Sequence, residues 1–171
     1  MRASRLLVNG LVGIALLFGA CKKDVLQKRV YDNVLYEVNP VTLYATNANK
    51  TKQKTSLQFI SILYTDLFNT SIPASKLNAM SEVTLSIGDK SIASNMILQK
   101  LLVEPGVQVP TNQEMRDNLD QFVADTYVRF YLRHPTPYEA HHVKKLIQDD
   151  AALTPEMVYA AFTQSNEYFF Y

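Results

Sequence analysis

Three threonine-led helix starts crowd the C-terminal third of this 171-residue chain, and they dictate where its backbone turns helical. Thr111-Asn-Gln-Glu114 has the form of a capping box: the threonine oxygen accepts from an orphan amide of the first turn while the glutamate reaches back to the cap. Thr136-Pro-Tyr-Glu139 is a second such box, with Pro137 at the first helical position, where no amide is missed. Thr154-Pro155-Glu156 repeats the device. The helix that Thr111 opens carries Met115, Leu119, Phe122, Val123 and Phe130 on one side. It is predicted to stop near His134, because Pro135 disfavours helix at the residue before it.

Upstream, Leu57, Ile60, Leu63, Tyr64, Leu67 and Phe68 recur at spacings of three and four, one apolar helix face. Pro73 breaks the stretch that follows. Glu82 to Ile87 alternates and reads as a brief strand ending in a turn at Gly88-Asp89. Ile92, Met96, Ile97, Leu101 and Leu102 resume helical spacing until Pro105-Gly106 and Pro110. Residues 31–46, rich in Tyr and Val and interrupted by Pro40, read as an extended segment docking on the helices, and Asn47 to Lys54 as a polar linker. Phe59 to Phe68 resembles Phe122 to Tyr131 at a displacement of 63 residues, so residues 55–104 and 111–171 are candidate copies of one helical-hairpin unit. The expected fold is mainly α: a small helical bundle over residues 55–171 with a short extended N-terminal segment.

Ahead of this domain, Leu6 to Ala20 is almost wholly apolar, follows Arg2 and Arg5, and ends Phe18-Gly19-Ala20-Cys21. The run is shorter than the ~20 residues a spanning helix needs. It resembles a bacterial lipoprotein signal, and Lys22-Lys23-Asp24 is similar to the start of lipoproteins from the Bacteroidota. The resemblance implies cleavage of residues 1–20, acylation of Cys21, a tether over residues 21–30, and a lipid anchor in the outer membrane. Cys21 is the only cysteine, so once acylated it leaves no thiol for redox chemistry or for a cysteine-held metal or haem. Without Arg2 and Arg5 the balance is 15 basic against 16 acidic side chains (17 − 2 against 16), no electrostatic footprint for nucleic acid. Residues 104–171 carry ten acidic against five basic side chains, while residues 22–54 are basic. A basic base beside anionic lipid is one account of this asymmetry; an ordinary solvated surface is the plainer one.

The pattern from Tyr127 through Arg133-His-Pro-Thr-Pro-Tyr-Glu139 to Ser165-Asn-Glu167-Tyr168 resembles small helical modules of unknown function in bacterial surface proteins. The resemblance implies helix-start chemistry and carries no catalytic residue. Arg133 is expected to pair with Glu139 across the Pro135 turn, and Arg129 with Asp125 one helical turn away. His134, Glu139 and His141 are the residue types that suit Zn²⁺. However, His141 and His142 point to faces ~100° apart on a helix, which favours solvated or cap-adjacent histidines. Asp149-Asp150 lacks the alternating ligands of a calcium loop. With ten Tyr, eight Phe and no Trp, the chain ends Tyr168-Phe169-Phe170-Tyr171. If the last helix runs to the end, these four rings cannot all enter one core, and they become a candidate partner-binding patch, with core packing as the competing account. The expected function is therefore non-catalytic and cofactor-free: an outer-membrane lipoprotein acting as accessory or structural subunit of an envelope protein complex. The alternative is a glycan- or peptide-binding module using Tyr31, Tyr36, Tyr44 and Tyr138. A metal-dependent hydrolase is the third.

Overall fold

The computed structural model describes residues 42–171. The signal, Cys21, the tether and most of the extended segment, with Tyr31 and Tyr36, lie outside the described residues. Within them the chain forms seven α-helices: α1 Ser56–Phe68, α2 Ala74–Ser86, α3 Lys90–Leu102, α4 Asn112–Asp117, α5 Leu119–Tyr131, α6 Pro137–Asp149 and α7 Pro155–Thr163. Short 3-10 turns occupy Asn47–Asn49 and Asn166–Phe169. The helix starts behave as their chemistry requires. Thr111 and Thr136 close capping boxes with Glu114 and Glu139, and Thr154 accepts from the Met157 amide. A further box, Thr55 with Gln58, opens α1.

Three sequence expectations need correction. Glu82 to Ile87 is not a strand. Residues 82–86 are the last turns of α2, which turns Leu77, Met80 and Val83 toward the core at spacings of three and leaves Leu85 83% exposed. A helix satisfies its own backbone, whereas a lone strand here has no neighbour to pair with. The helix opened by Thr111 is two helices, because Asn118 leaves helical geometry (φ −127°, ψ 53°) between α4 and α5. This bend keeps Met115 fully buried while Phe122 and Val123 also face inward. Finally, α5 ends before His134: Leu132 adopts a left-handed conformation (φ 50°) and its amide still bonds to Val128 O, so the helix is closed before Pro135 acts.

The two halves share their architecture. Ser56 and Leu119, Phe68 and Tyr131, Ala74 and Pro137, and Ser86 and Asp149 are helix ends separated by 63 residues in every case (119 − 56). The left-handed caps that end α1 and α5, Asn69 and Leu132, keep the same separation. The buried positions of α7 (Pro155, Val158, Tyr159, Phe162, Thr163) match those of α3 (Ser94, Ile97, Leu98, Leu101, Leu102) at a separation of 61 (155 − 94). In the first half α1 packs on α2 and α3; in the second α5 packs on α6 and α7; α3 meets α7 between them. One hydrophobic core runs through both halves.

Candidate functional site

The terminal quartet does not form an exposed patch on a helix, because α7 stops at Thr163 and the chain turns back. Ser165 caps the final 3-10 turn, accepting from the Tyr168 amide. The turn drives the Tyr168 ring between Phe59 of α1 (5.8 Å) and Phe130 of α5 (6.0 Å), where it has no exposed surface. Phe169 stacks on Phe59 at 5.1 Å. Phe169, Phe170 and Tyr171 are half-buried. Tyr168 is thus a core residue and cannot meet a partner in the folded chain.

What covers the tail is the stretch expected to be a free linker. Lys52 and Tyr171 exchange main-chain hydrogen bonds (3.0 and 2.9 Å), Lys54 N donates to Phe169 O (2.8 Å), and Gln53 bridges antiparallel to Phe170. In extended chain, alternate residues share a face. Lys50, Lys52 and Lys54 accordingly form a ladder over tyrosine rings: Lys50 over Tyr131 (5.0 Å) and Tyr44 (5.5 Å), Lys52 over Tyr171 (5.3 Å), and Lys54 over Tyr168 (3.8 Å). Alternating lysines were legible in the sequence. That they lie on rings as distant in sequence as Tyr131, Tyr168 and Tyr171 was not.

Beneath this strap sits a charged clamp. Arg133, 4% exposed, bonds both carboxylate oxygens of Glu139 (2.7 and 2.9 Å) and both of Glu167 (2.7 and 2.8 Å), and donates to His134 O (3.1 Å). Lys50 adds a bond to Glu167 at 2.9 Å. Glu139 serves two elements at once, since it also accepts from the Thr136 amide and hydroxyl to cap α6. Hydrogen bonds from Arg133 are the main cause holding the Glu139 carboxyl down at about 2. For Glu167 burial pushes upward, but the bonds from Arg133 and Lys50 outweigh it and leave it below its ordinary value. The expected Arg133–Glu139 pair therefore forms, and Glu167 completes it. Ser165 belongs to the same junction, accepting from Tyr131 OH at 2.7 Å. The two ends of the Tyr127-to-Tyr168 pattern thus meet in space, Arg133 on Glu167 and Tyr131 on Ser165.

Deeper in, Tyr168 OH donates to Asp66 at 2.7 Å, and Lys54 Nζ donates to the Tyr168 carbonyl. Burial raises Asp66 to about 6 and lowers Lys54 to about 8.

The remaining candidates disperse. Arg129 does not pair with Asp125; it donates to Gln108 O (2.8 Å) and Tyr159 OH (3.2 Å), while Asp125 accepts from Gln121. His134, His141 and His142 are exposed, and His142 stacks against Tyr138 at 6.1 Å. Glu139 is consumed by Arg133, and among the described residues no three His, Cys, Asp or Glu side chains converge as a metal site. Tyr44 lines a small cavity under the strap, whereas Tyr138 stands in solvent on α6, so these two share no concave surface.

Two larger grooves escape sequence reasoning. One, of about 540 Å³, lies between α2 and α3, with Met80, Val83, Met96, Ile97 and Val103 in its walls and Lys76, Lys100 and Glu104 at its edge. The other, of about 490 Å³, runs along α4 and α5 over Met115, Phe122 and Tyr159, with polar Gln108, Gln121, Asp125 and Arg129 around them. Among the described residues no helix is long and apolar enough to cross a membrane. Compared with known proteins, the chain matches no family model, no curated protein and no solved structure.

Proposed function

We propose that this chain is an outer-membrane lipoprotein, anchored through Cys21, that acts as a non-catalytic accessory subunit by docking on another envelope protein. The signal-like N-terminus supports the anchor. The observation that carries the docking role is the apolar groove between α2 and α3. Val103 is 82% exposed at its edge and Met96 52%, with Leu85 and Ile92 also open to water on the same pair of helices. A groove of this composition suits an apolar segment of a partner protein, laid between the two helices. The docking face thus moves from the tail quartet to the first half, because Tyr168 is interior and its neighbours are partly covered.

The test is a quantitative pull-down of the full chain from gently solubilised outer membranes. A companion recovered stoichiometrically by the parent chain and lost with Met96→Glu plus Val103→Glu supports the proposal. Retention of every association by that folded double variant refutes the groove as the docking face. Recovery of the chain alone refutes the subunit role. It shifts weight to the second reading, a peptide or glycan held in the groove along α4 and α5, whose apolar floor and polar rim are of ligand-site size.

A further inference from the structure

Between the strap, α1 and the end of α5 lies a cavity of about 70 Å³. By the same kind of measure one water needs about 10–15 Å³, so the space holds a small polyatomic ion but no sugar or nucleotide. Its charged side chains are Lys50, Lys54 and Arg129 against a single acidic side chain, Asp66. Glu167 offsets Lys50 from outside the cavity. Lys54 and Arg129 have no carboxylate within 4.0 Å among the described residues. Lys54 spends one N–H on the Tyr168 carbonyl, and Arg129 spends only Nη1, on Gln108 O and Tyr159 OH. Both cations keep unspent donors, while Asp66 gives one oxygen to Tyr168 OH. The other walls are apolar or aromatic, including Ile62, Phe130 and Phe170. Both cations are half-buried, and Arg129 also lines the groove along α4 and α5, so their spare donors point to a site that an anion can reach and join. Burial depresses Lys54, and the neighbouring Asp66 carboxylate restrains that fall.

We propose that this cavity is a binding site for a small oxyanion, a carboxylate or a phosphate, held by Lys54 and Arg129. Charge-assisted bonds from both residues would engage its oxygens, and the aromatic walls would keep water from competing. Nothing in the docking proposal depends on this site, nor does the site depend on it.

Isothermal titration of the purified full chain in detergent, with sodium phosphate and sodium acetate against sodium chloride at matched ionic strength, tests the idea. Saturable binding of phosphate, acetate or both, absent with chloride, is expected. Arg129→Gln is expected to weaken it about tenfold or more, the usual loss when a hydrogen bond to a charged group is removed. Which ion binds identifies the class. Lys54→Met should act alike, but it also loosens the strap, so acylation of Lys54 read by mass spectrometry provides a variant-free check: the bound ion should slow it. Absence of saturable binding, parent-like affinity in folded Arg129→Gln, or acylation indifferent to phosphate and acetate alike would overturn the site.

Discussion

Replacing Arg133 by alanine removes five donated hydrogen bonds, four of them to carboxylate oxygens, from a side chain that is almost wholly buried. Adding those bonds one by one overestimates the cost, because they share partners and are not independent. The better guide is the orphaned charge: breaking a buried ion pair by deleting one member costs about 3–5 kcal/mol. Here the survivors are not fully sealed. The Glu139 side chain is 31% exposed and that of Glu167 15%, and Lys50 still reaches Glu167. The lower end, about 3 kcal/mol at neutral pH, is therefore expected. The pH dependence supplies a second readout. Glu139 sits at about 2 when folded against an ordinary 4.5. A carboxyl whose folded value is depressed contributes stability that is fully present above the unfolded value and is lost as pH falls through the folded one. The parent should thus lose clamp stability between about pH 4.5 and 2, and Arg133→Ala should show a shallower slope, keeping only the part owed to the Thr136 bonds. Urea unfolding followed by far-UV circular dichroism at neutral and acid pH measures both. A loss below about 1 kcal/mol, the scale of an exposed ion pair, or an unchanged acid slope would refute the buried-clamp reasoning.

Two further outcomes follow from particular contacts. Tyr168→Phe keeps the ring between Phe59 and Phe130 but leaves Asp66 without its donor, which is expected to cost about 1–3 kcal/mol. Burial holds Asp66 at about 6, above its ordinary 3.8, and the Tyr168 bond restrains the rise, so the variant's Asp66 should titrate higher still. Because its folded value is raised, the Asp66 contribution is present below about pH 3.8 and lost as pH rises through about 6, making the variant's deficit deepest near neutrality. An NMR titration showing Asp66 unmoved would contradict this. Asn69→Ala places a Cβ-bearing residue without a locally bonding side chain at φ 53°, and it should destabilise by about 1 kcal/mol while Asn69→Gly does not. Equal midpoints for the two variants in thermal unfolding would show that the cap conformation is unstrained.

Much of the helical grammar was readable because it is local. A capping box joins residues three apart, so Thr111 with Glu114 and Thr136 with Glu139 needed no knowledge of the rest of the fold. The Arg133–Glu139 pair was also legible, since the two are six positions apart with Pro135 and the α6 start between them to turn the chain round. Apolar spacing identified the helices but not always their inner face. Leu57, Ile92 and Met96 have the right period and lie half in water, while Phe59 and Leu98, one position away from it, are buried. The strand reading of Glu82 to Ile87 failed for a related reason: alternation over a few residues is compatible with the end of an amphipathic helix.

The displaced-by-63 resemblance foreshadowed helix ends that coincide in both halves, a match that the aromatic positions alone left ambiguous. The meeting of distant segments lay beyond the sequence. Core packing of Tyr168 is the competing account that the Tyr127-to-Tyr168 resemblance favours, but its neighbours in the core follow only from α7 ending early and the tail folding back between α1 and α5. Nothing in Asn47 to Lys54 announces a strap, because its partners are Tyr131, Glu167 and the last four residues, all distant in sequence. Glu167 joins Arg133 across 34 residues, and Asp66 acquires its raised pKa from desolvation, a property that exists only once surrounding side chains exclude water. Helix starts and stops are settled within a turn of backbone, so composition and spacing are enough to specify them. Burial, the Glu167 side of the clamp and the cavity beneath the strap are properties of segments far apart in sequence, and they come into being with the packing itself.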